Sequence, residues 1–284
     1  MLRAAPLLLA VALASCSSAP RVAEPSATAR VMTFNIRLDV ASDGPDAWPN
    51  RTDAVVATIL EADIVGIQEA TPEMVAVLDE RLPMFERFGI GRDADGGGEQ
   101  SAVLYRTDRF DLEDGGTFWL SPTPQVPGSV GWDAAITRIA TWTRLRDRAT
   151  SRPLVVVNTH FDHVGVEARR ESAALLARRA PELAGGAPLV VMGDLNTTPD
   201  TDAYAALADL EDAWLVSETR PVGSAGTWNA FGRATNERRI DYVFVRGARV
   251  LEVETLDRTV GDVLGTDNPR LPSDHHAVAA TVSF

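Results

Sequence analysis

Leu189-Val190-Val191-Met192-Gly193-Asp194-Leu195-Asn196 decides how the rest of the chain reads: four apolar residues, a glycine, then an aspartate and an asparagine two positions apart. A short apolar run closed by a glycine predicts a strand over residues 189–192, buried on both faces. Alternation along an extended backbone then puts Asp194 and Asn196 on one side. An aspartate there can orient or deprotonate a water, and an asparagine amide can donate to a developing oxyanion without adding charge. The same pair also suits an Asx turn leading into a helix near Thr201, because Asp and Asn favour turns.

Runs of the same kind recur at residues 31–36, 64–67, 102–105, 139–145, 154–157, 240–245 and 278–282 and predict further strands. Helical patterning covers residues 51–61, 72–81 and 167–183, the last ending before Gly185 and Gly186. This mixture predicts one α/β domain with more strand than a doubly wound fold. The 284 residues, 45% of them hydrophobic, suffice for one large core, and no internal repeat is evident. Two long loops, 91–99 and 121–133, are candidates for a functional role because structureless connections of that length are uncommon.

All four histidines fall in two clusters, Asn158-Thr159-His160-Phe161-Asp162-His163 and Ser273-Asp274-His275-His276, each adjoining a predicted strand. A histidine at a strand end beside a carboxylate is oriented and tuned for catalytic use. Three more strand ends carry polar or acidic residues: Thr33-Phe34-Asn35-Ile36-Arg37, Gly66-Ile67-Gln68-Glu69 and Arg239-Ile240-Asp241-Tyr242-Val243. Mg²⁺ takes oxygen ligands and keeps several waters, so one or two carboxylates with an Asn carbonyl fit its chemistry. A catalytic zinc on His160 and His163 is disfavoured, since zinc usually wants three His or carboxylate ligands and the spacing is not that of a helical zinc motif.

The formal net charge is -13, with 40 acidic residues against 27 basic ones, and every basic residue is Arg. The absence of Lys excludes a Schiff-base or P-loop lysine. The acidic balance weighs against broad binding of nucleic acid. The single cysteine, Cys16, excludes a disulfide, a thiolate nucleophile and a cysteine metal site in the body of the protein. Residues 1–15 read as an export signal, with Arg3 before an apolar run too short to span a bilayer comfortably. Leu13-Ala14-Ser15-Cys16 resembles a bacterial lipobox, the alternative being an ordinary signal peptide with an incidental Cys. By the same resemblance, Ser17 and Ser18 favour an outer-membrane anchor facing the periplasm. Residues 16–28 then form the lipidated Cys and a flexible Ser, Ala and Pro-rich tether, and 29–284 the catalytic domain.

Taken in order, these strand ends resemble the endonuclease/exonuclease/phosphatase superfamily, the deoxyribonuclease I-like enzymes, over residues 29–284. The likeness to a bacterial branch rests on Asp46-Ala47-Trp48-Pro49-Asn50-Arg51, Gly131-Trp132-Asp133-Ala134-Ala135 and His160-Phe161-Asp162-His163-Val164-Gly165. The resemblance implies a four-layer α/β sandwich, two packed mixed β-sheets flanked by helices, with the active site at one end. It implies that Asn35 and Glu69 hold a Mg²⁺ (or Mn²⁺) with support from Asp274, and that His160 contacts the scissile phosphate, oriented by Glu99. Asp194 positions or deprotonates the attacking water, Asn196 steadies the pentacovalent phosphate, and Asp241 orients His275, which stabilises transition-state charge or assists proton transfer. Abasic-site endonucleases carry an Asp where this chain has Arg37, which suits a phosphate contact better than a metal ligand. Arg138 and Trp228 are candidate substrate contacts by resemblance, with core packing or surface charge the competing roles. His163 and His276 are read as shaping the surroundings.

The expected activity is hydrolysis of a phosphodiester or phosphomonoester by in-line attack of water, on a small or extracellular substrate. An extracellular nuclease and an inactive binding lipoprotein that keeps the fold are the alternatives. The expected partners are the phosphorylated substrate and, through the lipid anchor only, the membrane. No stable nucleic-acid partner is expected, and the chain is expected to be a monomer.

Overall fold

The computed structural model describes Met1 and residues 27–234 and 238–284. The expected export signal, Cys16 and all of the tether but Ala27 and Thr28 lie outside the described residues. The strands are β1 (Thr28–Asn35), β2 (Ile64–Gln68), β3 (Phe85–Phe88), β4 (Val103–Arg106), β5 (Phe110–Trp119), β6 (Ile139–Asp147), β7 (Pro153–His160), β8 (Leu189–Asp194), β9 (Glu211–Asp212), β10 (Asp241–Arg246), β11 (Arg249–Leu256) and β12 (Ala277–Ser283). They form two six-stranded sheets, ordered β11-β12-β1-β2-β4-β3 and β5-β6-β7-β8-β10-β9. Among the described residues three helices of eight residues or more accompany them: α1 (Thr52–Ile59), α2 (Pro72–Arg81) and α3 (Val166–Ala184).

The layering follows from strand alternation. Val31, Ile64, Val156, Val190, Met192, Val243 and Val278 meet between the sheets. Met32, Phe34, Val65 and Ile67 point the other way, onto Val55, Ile59, Met74 and Leu78 of α1 and α2. Val155, Val157, Val191 and Phe244 point onto Ala173, Leu176 and Ala180 of α3. The result is the expected four-layer α/β sandwich.

Along each inward-facing row, one end of the sandwich turns from apolar to polar. Val31 gives way to Thr33 and Asn35, Ile64 to Gly66 and Gln68, Val156 to Asn158 and His160, Met192 to Asp194, and Val243 to Asp241. β1 and β2 are parallel, as are β7 and β8, and carry these residues at their C-terminal ends. β10 and β12 run antiparallel to their neighbours, so Asp241 and His275 stand at strand starts and reach the same end.

A buried network braces this end. Asn158 Nδ2 donates to the carbonyls of Ile67 (2.9 Å) and Ala102 (2.8 Å), and Gln68 Nε2 donates to Asn158 Oδ1 (2.6 Å) and Thr33 Oγ1 (3.0 Å). It crosses from one sheet to the other directly beneath His160. Gly66 makes room for it: a Cβ there would lie 2.6 Å from the Asn158 amide and 2.9 Å from the Met192 methyl. Gly66→Ala is therefore expected to cost ~1–3 kcal/mol as an overpacking change. Urea unfolding measures it, and an unchanged midpoint would show that the network yields freely.

All eight strands and three helices read from the sequence are present, with ends shifted by up to three residues. β3, β5, β9 and β11 were not anticipated. β1 starts at Thr28 rather than Val31: it pairs with β12 from Thr28 opposite Ser283, and before it Ala27 and Phe284 exchange backbone hydrogen bonds of 3.0 and 2.9 Å. That pair closes the end of the sandwich opposite the polar one.

Candidate active site

The polar strand ends surround a cleft of about 290 Å³ lined by Arg37, Leu38, Glu69, Glu99, Ile136, Arg138, His160, His163, Asp194, Asn196, Trp228, Asp274 and His275. Asn35 and Asp241 lie buried beneath it. The structure thus brings every sequence-derived site residue of the domain to one place.

Asp194 is the hub. Its Oδ2 accepts from Asn35 Nδ2 (3.0 Å) and lies 3.3 Å from His160 Nε2 and 3.8 Å from His275 Nε2, while Oδ1 accepts from the Asn196 backbone (2.9 Å). Asn196 is left-handed, with φ 47°. Both expectations for this stretch are therefore partly met: an Asx turn follows the strand, and that turn, rather than extended alternation, brings Asn196 to the cleft. The helix cap near residue 201 is supplied by Thr201 itself. Gly193 is required because a Cβ there would lie 2.0 Å from the Thr159 carbonyl.

On the opposite side, His275 Nδ1 is 2.9 Å from Asp241 Oδ2. The Ser273 hydroxyl donates to the Asn35 carbonyl (2.7 Å) and accepts from the His275 backbone (3.3 Å), joining the Ser273–His275 turn to β1. Asn35 Nδ2 also donates to Glu69 Oε1 (2.9 Å), and Glu69 Oε2 accepts from the Leu38 backbone (3.0 Å). Arg37, Glu69 and Asn196 all have positive φ (53°, 64° and 47°), a conformation that costs non-glycine residues energy and gathers at functional sites.

The two inner histidines occupy opposite electrical environments. Burial first, then the guanidinium of Arg138, holds His160 well below the ordinary histidine value, so its ring is neutral. Burial also opposes charge on His275, but Asp241 and then Asp194 together outweigh it and hold the ring well above that value, as an imidazolium. Burial, followed by the charge of Asp241, pushes Asp194 up to about 7 against the pull of His275. A neutral imidazole, a carboxyl poised near neutrality and a cation thus stand side by side, the pattern that assigns acid and base roles.

Two expectations need correcting. Glu99 does not orient His160: its Oε1 is paired with Arg92 at 2.5 Å, and His160 Nε2 is instead 3.0 Å from Asn196 Nδ2. The lone cation of Arg92, two residues into the glycine-rich loop, competes successfully for the carboxylate. Arg37 lines the cleft but is not a free phosphate contact, because Asp43 holds its Nε (3.0 Å) and Nη2 (3.2 Å). The Asn196 amide is likewise engaged, donating to the Phe161 carbonyl at 3.1 Å.

The loops of the bacterial motifs are locked together. Asp162 accepts from the backbones of Ala135, Ile136, Val164 and Gly165, and Asp133 accepts from Glu167 and Ala168 at the start of α3. This clamp carries Arg138, 5% exposed, to the cleft, where its Nη2 is 3.1 Å from His163 Nδ1. Trp228 is half-buried, bridges in strand fashion to His275, and has the Arg238 guanidinium 5.6 Å from its ring centre. His276 faces Asn229 Nδ2 at 3.4 Å, away from Asp194.

For a hard cation, the fitting donors are the carboxylates of Glu69 and Asp274, which face the same cleft. Burial, and Glu69 nearby, raise Asp274 above the usual carboxylate range against the pull of His275 and of Arg37, whose Nη1 lies 3.9 Å from Asp274 Oδ2. Asn35, expected to hold the metal beside Glu69, supports it from beneath instead: its Nδ2 fixes one oxygen of Glu69, and its Oδ1 accepts from the Arg37 backbone. Asp194, Asp241 and His275 also bring possible ligand atoms within 4.8 Å of one another. There the histidine already bridges two carboxylates, so a shared proton suits that trio better than an oxygen-seeking metal.

The chain matches the family model described as Endonuclease/Exonuclease/phosphatase family over residues 32–275. Among solved structures, it is similar to an endonuclease/exonuclease/phosphatase from Bacteroides vulgatus (TM-score 0.83, 38% identity, covering 90% of this chain and 98% of that one). It is similar also to a mannosyl-6-phosphatase from Bacteroides thetaiotaomicron VPI-5482 (TM-score 0.81, 33% identity, 90% and 99% covered). Nocturnin of Drosophila melanogaster is 25% identical over 273 residues, which cover 81% of this chain and 41% of that protein. The chain therefore spans about two fifths of the length of this curated relative.

Proposed function

Because the chain belongs to the endonuclease/exonuclease/phosphatase family, whose members are hydrolases of phosphoester bonds, we propose that it is a Mg²⁺-dependent phosphoesterase acting on a small phosphate ester by in-line attack of water. One observation carries the reading: Asp194, pushed up to about 7, stands between a neutral His160 and a cationic His275 at the floor of one cleft. Sugar phosphates are the first substrates to test, given the 33% identity to a mannosyl-6-phosphatase.

Asp194 accepts the proton of the attacking water, and His275, kept charged by Asp241, neutralises the phosphoryl oxygens as negative charge gathers on them. His160 and Asn196 hold the phosphate in line with that water, exchanging their 3.0 Å contact with each other for contacts to its oxygens. Glu69 and Asp274 would hold the cation, with Asn35 fixing Glu69. Bound there, such a cation would supply Lewis-acid polarisation of the phosphoryl oxygen and offset the charge of these carboxylates. Arg138 and Trp228 contact the rest of the substrate.

The proposed setting is the periplasm, with Cys16 lipidated, the domain monomeric, and no stable nucleic-acid partner. Its support is the lipobox-like Leu13-Ala14-Ser15-Cys16 and the net charge of -13. Among the described residues no helix is long and apolar enough to cross a membrane.

Metal-stripped protein is expected to lose at least about 99% of its hydrolysis of sugar phosphates and to regain it with Mg²⁺ or Mn²⁺, in line with the several kcal/mol a metal supplies. Phosphate release after chelation and titration back with each cation measures this. Full activity in the chelator, or activity restored by zinc alone, would refute the proposal.

A further inference from the structure

Arg51 is 2% exposed and uses all five of its N–H groups on backbone carbonyls. Nε donates to Asp46 (2.9 Å), Nη1 to Ile36 and Pro272, the latter at 3.3 Å, and Nη2 to Arg37 and Leu38, the latter at 3.3 Å. Its guanidinium lies 5.2 Å from the ring centre of Trp48 and 5.9 Å from that of Phe231. No carboxylate among the described residues is hydrogen-bonded to it. A buried arginine that hydrogen-bonds only to main chain ties loops together, and its charge reaches Asp274 through space without a hydrogen bond.

The loops it joins are the two walls of the cleft. The first wall is the left-handed turn at Arg37, whose neighbouring carbonyls converge on the guanidinium. From that turn the backbone N–H groups of Arg37 and Leu38 fix Asn35 Oδ1 and Glu69 Oε2, each at 3.0 Å. The second wall follows Pro272 and carries Ser273, Asp274 and His275.

We propose that Arg51 is a positioning residue for the cation site, setting the distance between Glu69 on one wall and Asp274 on the other. The assignment rests on the reaction proposed above, but its test does not need the substrate. Residues that orient metal ligands from behind typically contribute 10–100-fold to affinity.

The test compares wild type with Arg51→Lys and Arg51→Ala, using Mg²⁺ titration calorimetry, then kinetics on a sugar phosphate, with folding followed by circular dichroism. Lysine offers three donors from one point and cannot reach five carbonyls. Arg51→Lys is expected to fold and to raise the Mg²⁺ dissociation constant about tenfold. Its kcat should fall by a similar factor while KM stays within about twofold. In Arg51→Ala, millimolar guanidinium is expected to restore part of the lost Mg²⁺ affinity and to leave wild type unaffected.

A wild-type dissociation constant in Arg51→Lys, or no recovery in a folded Arg51→Ala, overturns the assignment. If Arg51→Ala does not fold, Arg51→Lys alone decides it. A wild type that binds Mg²⁺ but cleaves nothing sinks the reaction and leaves the comparison intact. A wild type that binds no Mg²⁺ overturns both.

Discussion

Asp194→Asn is expected to lower kcat by about 10³, within the 10²–10⁴ that a positioned general base contributes. Asparagine keeps the shape and the acceptor for the Asn196 backbone, but it cannot take a proton and it turns an N–H₂ toward Asn35 Nδ2 or His160. Because the loss falls on the transition state, KM should change little and kcat/KM should drop as far as kcat. A variant within threefold of wild type would remove Asp194 from the mechanism. Wild-type kcat/KM should rise with pH through about 7 as the carboxyl ionises. The variant's residual rate should lack that limb.

The same group predicts a stability trend. Its folded pKa is raised above the unfolded value, so its stabilising contribution is full below about pH 4 and is lost as pH rises to about 7. The difference in unfolding free energy between Asp194→Asn and wild type should therefore shift toward the variant across that window. Chemical denaturation at pH 4, 5.5 and 7, without metal, follows it.

Asp241→Asn should move the whole pH profile toward acid. Asp241 is the largest influence holding His275 charged, and it also raises Asp194. Without its charge, His275 loses its proton at lower pH and the alkaline limb falls in. Asp194 ionises at lower pH too, and the acid limb retreats with it. Weakening of the orienting contact at 2.9 Å, from a charged to a neutral acceptor, adds a fall in peak kcat of about 10²–10³, the scale of one transition-state charge stabiliser. The double variant with His275→Ala should be little worse than the worse single variant, since the two act as a unit. Additive losses, or a profile that narrows without shifting, would break the pairing.

Much of this was legible in the sequence because strands packed on the other sheet on one face and on helices on the other are apolar on both sides and stand out as unbroken runs. Residues 189–192 and 154–157 need nothing more than hydrophobicity to be seen. β5 escapes that reading because its middle, Glu113-Asp114-Gly115-Gly116, is charged and glycine-rich. A bulge lies between Leu112 and Asp114, and Cβ atoms on Gly115 and Gly116 would strike Phe88 and Trp142. β11 and β3 are half-exposed edge segments with Glu and Arg on their outer faces, so charge hides them.

At the site, side chains presented directly by strands were readable, from Asn35 to Asp241. Pairings made by loops were not. Arg92 and Glu99 find each other because the glycine loop folds back, which spacing alone does not encode. Arg51 was visible only as part of a motif, since its five acceptors come from residues 36–38, 46 and 272. The unlike charge states of His160, neutral, and His275, cationic, depend on burial and on Arg138 and Asp241, far away along the chain.

The backbone exchange between Ala27 and Phe284 closes the sandwich at the end away from the cleft, eight residues of extended chain from Asn35, or about 26 Å at ~3.3 Å per residue. A bead, a fusion partner or a cell surface joined through either of these two positions therefore holds the molecule by its back. The mouth faces outward into the medium, so such a support draws on dissolved molecules arriving from the open side rather than on whatever lies directly beneath it.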